Sequence, residues 1–182
     1  MESVYTSDKK WFVMRDLKRA NAKLPAYKLL AEAGFRVFTP MTSKVVEKGG
    51  KKSRVHVPFV QDLLFVYSEE KTLDRIVNRT DTLQYRYMKG AAYRTPMTVP
   101  VNDMERFITA VTSVKTPQYF TPDELTGAMY GKTVRIIGGV FNEYEGQLLS
   151  VKGMRKKRLI VELHGLIAAA VEVEPEYVQL IC

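Results

Sequence analysis

The stretch GAMYGKTVRIIGGVFNEYEGQL, residues 127–148, decides how this chain is read. Its first seven residues look like a phosphate-cradling loop. Such a loop needs four residues between its first glycine and the Gly-Lys pair, followed by a helix whose N-terminus faces the phosphates. Only three residues separate Gly127 from Gly131, and Val134, Arg135, Ile136 and Ile137 form a β-branched run that reads as a strand. The stretch is therefore no nucleotide site, and its glycines serve chain geometry. Gly139 and Gly146 bracket a turn between two strands, where positive φ or close backbone approach would exclude a Cβ.

Downstream the same grammar continues. Residues 133–137, 147–152, 159–163, 170–174 and 178–181 are five short strand candidates separated by glycine-rich or charged turns. A set that small predicts a closed barrel, which removes the edges an open sheet would expose. The run LIAAAVEVE, 166–174, is alanine-rich enough to be helically ambiguous. Upstream, residues 115–129 carry Pro117, Pro122 and Gly127 with little periodicity and read as a linker.

The first half mixes both periods. Strands are expected at 11–15, 36–39, 59–67 and 83–88, and a hairpin over 42–58 turns at Gly49-Gly50. Helices are expected from an Asn21 cap to residue 33, where Gly34 stops the first, and over 72–79 and 102–114. Leu24, Tyr27, Leu30 and Ala31 would share one face of the first helix. The fold class is α+β: a flexible N-terminus (1–9), an α/β sandwich with an antiparallel sheet (10–114), a linker (115–129) and a small five-stranded barrel (130–182).

Charge is divided between these halves. Residues 1–115 hold 21 Lys and Arg against 12 Asp and Glu, a net +9, whereas residues 116–182 hold 7 against 8, a net −1. The first half suits an anionic partner such as nucleic acid; a solvated lysine-rich surface is the bland alternative. One cysteine, Cys182, leaves no disulfide framework and points to a reducing cytosol. The start, MESVYTSDKKWF, lacks the apolar core of a signal peptide, and no stretch reaches membrane-span length. Two distant histidines, His56 and His164, and that one cysteine form no metal or nucleophile constellation. Asp62, Glu69 and Glu70 have no base or nucleophile beside them in sequence, so no enzyme, metal or cofactor is expected.

Gly131, Val134, Arg135, Ile136, Gly139, Phe141, Gly146 and Leu148 together resemble the KOW motif of the NusG family of transcription elongation factors, with Val140 where proline is usual. Lys10-Trp11-Phe12-Val13, Val37-Phe38-Thr39-Pro40 and Pro58 to Val66 resemble, in the same order, segments of that family's NGN domain. The segment Pro96-Met97-Thr98-Val99-Pro100 is similar to the specialised UpxY-type antiterminators of surface-polysaccharide operons.

The resemblance implies a cytoplasmic, monomeric, non-enzymatic regulator whose NGN domain binds the RNA polymerase clamp and suppresses pausing and termination. By position, Val60, Leu63 and Phe65 would line the docking depression, with Gln61-Asp62 replacing Pro-Gly; ordinary strand core is the alternative. Lys18, Arg19 and Lys23 would contact phosphates or the non-template DNA strand, with Arg75 and Arg79 as a second basic pair, a solvated face being the alternative. Phe141, Ile160, Leu163, His164 and Leu166 would meet a KOW-domain partner such as a ribosomal protein or Rho. A rival reading is a KOW-containing RNA-binding protein of the translation machinery. The net −1 of residues 116–182, the half that holds the barrel, speaks against it.

Overall fold

The computed structural model describes residues 8–19 and 22–181. The chain forms two compact units, residues 1–101 and 102–182. Most of the flexible N-terminus expected from sequence, together with Asn21 and Cys182, lies outside the described residues.

The first unit is built around β1 (Lys10–Asp16), β2 (Arg36–Phe38), β3 (Met41–Lys48), β4 (Lys51–Pro58), β5 (Leu63–Ser68), β6 (Leu83–Tyr85) and β7 (Thr98–Val99), with α1 (Ala26–Glu32) and α2 (Glu70–Val77). Its sheet runs β2-β5-β1-β6, with β7 also on β1, and all pairings are antiparallel. Register fixes what periodicity alone could not. Met14 faces Leu64 and Tyr85, while Phe12 faces Val66, so these residues share one sheet face. They pack with Ala26 and Leu30 of α1 and Leu73 of α2 into one core. The other face carries Trp11, Val13, Leu63, Phe65 and Val99, also buried. A strand covered on both faces loses its polar alternation, which is why WFVM and LLFV read as unbroken apolar runs.

Helix α1 starts later than the expected Asn21 cap. Pro25 occupies the N-cap at φ −66°, and Leu24 precedes the helix. The helix ends in a Schellman arrangement: Phe35 N donates to Leu30 O, Gly34 N donates to Ala31 O, and Gly34 adopts φ +85°. Hairpin β3–β4 pairs from Met41↔Pro58 to Lys48↔Lys51 around Gly49 and Gly50, at φ +59° and +74°, the two left-handed residues of a type I′ turn.

The second unit contains α3 (Val101–Thr112), β8 (Gln118–Phe120), β9 (Tyr130–Ile136), β10 (Glu145–Leu149), β11 (Arg158–Leu163), β12 (Ile167–Glu172) and β13 (Val178–Leu180). The strand order is β13-β9-β10-β11-β12-β8. All five expected strands are present, and β8 is a sixth. It lies inside the supposed 115–129 linker, which is instead folded: Phe120 and Leu125 are core residues, and β8 pairs with β12. Two apolar side chains were available to bury there, and they outweigh the two prolines. The helix assigned by sequence to the first domain also falls mainly here, because Ala110 packs with Val134, Ile136, Phe141 and Leu159.

Strand β12 settles the ambiguous alanine run as strand. Val171 joins the core with Val134 and Leu159, whereas Ala168 and Ala170 join the one with Phe120 and Ile160. Both faces are covered, and alanine's small volume lets the second layer approach. The opening glycines are explained residue by residue. Gly139 sits at φ +65° against the Tyr177 ring, and a Cβ on Gly146 would stand 3.0 Å from Ile160 O. At Gly131 a Cβ would come within 2.8 Å of Leu148 O.

Candidate functional site

The loop between β1 and α1 carries the first basic group, and Asp16 shapes it. Its carboxylate, only 7% exposed, accepts Lys18 N at 2.9 Å and Ala26 N at 2.6 Å. One side chain thus closes the loop and satisfies the first free donor of α1, which Pro25, lacking a side-chain oxygen, cannot do. Lys18 Nζ donates to Leu24 O at 2.7 Å, and Gln61 Nε2 donates to Lys18 O at 3.2 Å. The Lys18 ammonium is therefore engaged within the loop. Arg19 and Lys23 are exposed with no ion pair among the described residues. Lys18, Arg19 and Lys23 all precede the helix, because Pro25 sets its start.

This loop borders a cavity of about 440 Å³ lined by Lys18, Arg19 and Lys28, by Lys44 and His56 of the hairpin, and by Tyr27 and Phe59. The structure thus brings loop and hairpin cations to one concavity, a convergence invisible in sequence because Lys44 and His56 come from the far side of a turn. Arg75 lies in the last turn of α2, and Arg79 in the turn that follows the helix; both are exposed.

The expected docking trio divides. Val60 is half-exposed in the turn before β5, closed by Leu63 N donating to Val60 O at 3.2 Å. Leu63 and Phe65 are 2% and 0% exposed, so their side chains are core and present no surface. They share the sheet face opposite α1 and α2, and Phe38 packs beside Phe65 at 6.3 Å between ring centroids. Asp62, which follows Val60 and Gln61 in the turn, accepts Arg15 Nε at 3.1 Å and Arg86 Nη2 at 3.2 Å. These half-exposed ion pairs tie the turn to β1 and to the residue after β6. They explain how Gln-Asp can stand at this turn, with Asp62 tying it to two arginines.

In the second unit, Phe141, Ile160 and Leu163 are buried core residues and not an exposed partner surface. Leu166 is half-buried. The His164 side chain is 94% exposed, with Nδ1 3.5 Å from the Glu162 carboxylate. The residues missed by sequence are Arg106 and Tyr144: the guanidinium lies 4.5 Å from the ring centroid, and Tyr144 Oη donates to Arg106 O at 3.1 Å. They line a concavity with Asp103, Glu162 and His164. Among the described residues no cluster of three or more His, Cys, Asp or Glu side chains is placed to hold a metal ion, and no helix is long and apolar enough to cross a membrane.

A family model described as transcription termination factor nusG matches residues 9–108. Nine chains of solved structures match. One, from work on domain interaction in Thermotoga maritima NusG, is 16% identical, covers 95% of this chain and 97% of that chain, and has a TM-score of 0.47. No curated protein matches the sequence.

Proposed function

This chain belongs to the NusG family of transcription factors, and from that premise we propose that it is an antitermination factor acting on elongating RNA polymerase. The family match over residues 9–108 carries this reading, since it spans the first-unit sheet and both helices packed on it. Docking occurs on the polymerase clamp at the turn before β5. Val60 supplies surface there, while Leu63 and Phe65 support that turn from inside the sheet. Arg19 and Lys23, with Arg75 and Arg79 as a second group, contact phosphates of the non-template strand. Such contacts position a protein without reading sequence.

Mechanistically, a protein bound only to the closed clamp shifts the clamp equilibrium by its differential affinity for the two states. A preference of about 5.5 kcal/mol would take it from 1:99 to 99:1. Paused states are depleted and terminators are read through, at operons of the surface-polysaccharide class that the UpxY resemblance names. The second unit recruits a further protein, such as a ribosomal protein or Rho, at the exposed turn holding His164 and Leu166. The chain acts as a monomer in the cytoplasm and without a cofactor.

The test is a titration of a purified clamp-helix fragment from bacterial RNA polymerase against the full chain, with Val60→Asp as the paired variant. Saturable binding weakened at least tenfold by Val60→Asp, with unchanged Trp11 emission, is the expected result. Absence of binding by the folded parent would remove the polymerase reading.

A further inference from the structure

We propose that hairpin β3–β4 is a grip for the backbone of double-stranded DNA, separate from the cations already placed on the non-template strand. Its residues 41–58 contain Lys44, Lys48, Lys51, Lys52 and Arg54 against one acid, Glu47. The two strands pair only with each other and are exposed over most of their length, half-buried chiefly at the base around Met41, Val57 and Pro58. The ribbon thus projects from its unit as a basic finger.

Three observations argue that the charge has an external partner. Lys48 and Lys51 are direct cross-strand neighbours, an arrangement that repels and weakens a hairpin already marginal on its own. None of the five cations forms a salt bridge with a described residue. Register also sorts them: Lys44, Lys48 and Lys51 lie on one ribbon face, Lys52 and Arg54 on the other with Glu47. Cations of both faces flank the tip, and the first face leads through Lys44 into the basic cavity at the β1–α1 loop.

The form of the finger selects duplex DNA among polyanions. A two-stranded antiparallel ribbon fits the major groove, roughly 12 Å wide, and Lys44 and Lys48 are four residues apart, about 13 Å along the strand. Single-stranded nucleic acid is gripped by aromatic platforms on which bases stack, and residues 41–58 contain no Phe, Tyr or Trp. A membrane surface would call for large apolar anchors. Those exposed on the ribbon are Val45 and Val46, on opposite faces. The ribbon has no Asn or Gln to pair with adenine, and its four lysines and one arginine are the side chains that neutralise phosphates, so backbone contact is the expected mode.

The test contains no polymerase, so its failure and that of the polymerase reading are distinguishable. A labelled 30-base-pair duplex is titrated with the full chain by fluorescence anisotropy, from 50 to 200 mM salt. The parent is compared with the triple variant Lys48→Gln, Lys51→Gln, Lys52→Gln and with Glu47→Gln. The triple variant should lose at least tenfold in affinity at 50 mM salt. Its log K against log salt slope should be shallower by up to about 2.7, at about 0.9 per lost phosphate contact. Glu47→Gln, which removes the only anion of the finger, should bind more tightly than the parent. Equal affinity of parent and triple variant would overturn the proposal. So would a triple variant that loses as much affinity for a single strand of the same length, or for anionic lipid vesicles, as it loses for the duplex.

Discussion

Replacing Asp16 by alanine should destabilise the first unit out of proportion to the three atoms removed. The lost carboxylate accepts two backbone N–H groups, at 2.6 and 2.9 Å, from a site that is 7% exposed. A hydrogen bond to a charged group contributes about 1.5–3 kcal/mol, and a buried donor left without a partner costs about 1–3 kcal/mol. Water entering the emptied space recovers part of this, which leaves about 2–4 kcal/mol for Asp16→Ala. Asp16→Asn keeps one good acceptor and should cost about half as much. Trp11 makes the measurement specific: it is the only tryptophan, it is fully buried, and it lies on the same strand as Asp16. Urea unfolding followed by its emission should show the midpoint lowered by about 1–2 M, taking a denaturant slope near 2 kcal/mol per M. The Ala26 amide should also lose hydrogen-exchange protection. An Asp16→Ala protein within about 0.5 kcal/mol of the parent, with Ala26 still protected, would refute the idea that a carboxylate ten residues away caps α1.

Three further outcomes follow from the packing. Leu63→Asp places a carboxylate at a position 2% exposed and should cost at least about 4 kcal/mol, seen as lost Trp11 burial; a native-like emission spectrum would contradict the register. Gly131→Ala drives a Cβ to 2.8 Å from the Leu148 carbonyl and should cost about 1–3 kcal/mol by thermal melting, where a neutral effect would show that β10 yields at its bulge. Burial pushes Tyr119 up to about 12, and burial with donation to Asp74 raises Tyr85 further. The folded chain therefore keeps tyrosine protons that the unfolded chain releases near 10, so stability is full below pH 10 and falls as pH rises towards 12. Urea midpoints by circular dichroism should show this decline, and Tyr85→Phe should flatten it.

What could be read from residues alone was whatever depends on local chemistry. The Gly49-Gly50 turn, the β-branched strands 133–137 and 159–163, and the Gly34 helix stop follow from φ preferences and period. Long-range relations were out of reach. LLFVY is apolar on both faces, so nothing in its own pattern says which side Leu63 and Phe65 take; only pairing with β1 and β2 decides it. Helix caps usually lie within a few residues of the helix start, whereas the carboxylate that caps α1 stands at the end of the preceding strand. Pro117 and Pro122 give residues 115–129 the look of a linker, but Phe120 and Leu125 are apolar side chains that a free tether has no use for. At the candidate interfaces, the cations were visible as charge, but the engagement of Lys18 by Leu24 O was not, nor the convergence of Lys44 with Arg19.

The alanine strand has a further consequence, for the order in which the chain can fold. Alanine favours helix more than any other residue, so β12 owes its conformation to its partners. One of them, β11, is joined to it by the short turn after Leu163 and can pair at little entropic expense. The other, β8, is made first and waits: its residues 118–120 leave the ribosome with no strand to receive them until nearly all of the remaining sheet has followed. Until β12 follows, this short segment has no strand partner, and the part of the Phe120 cover that Ala168 and Ala170 supply is missing.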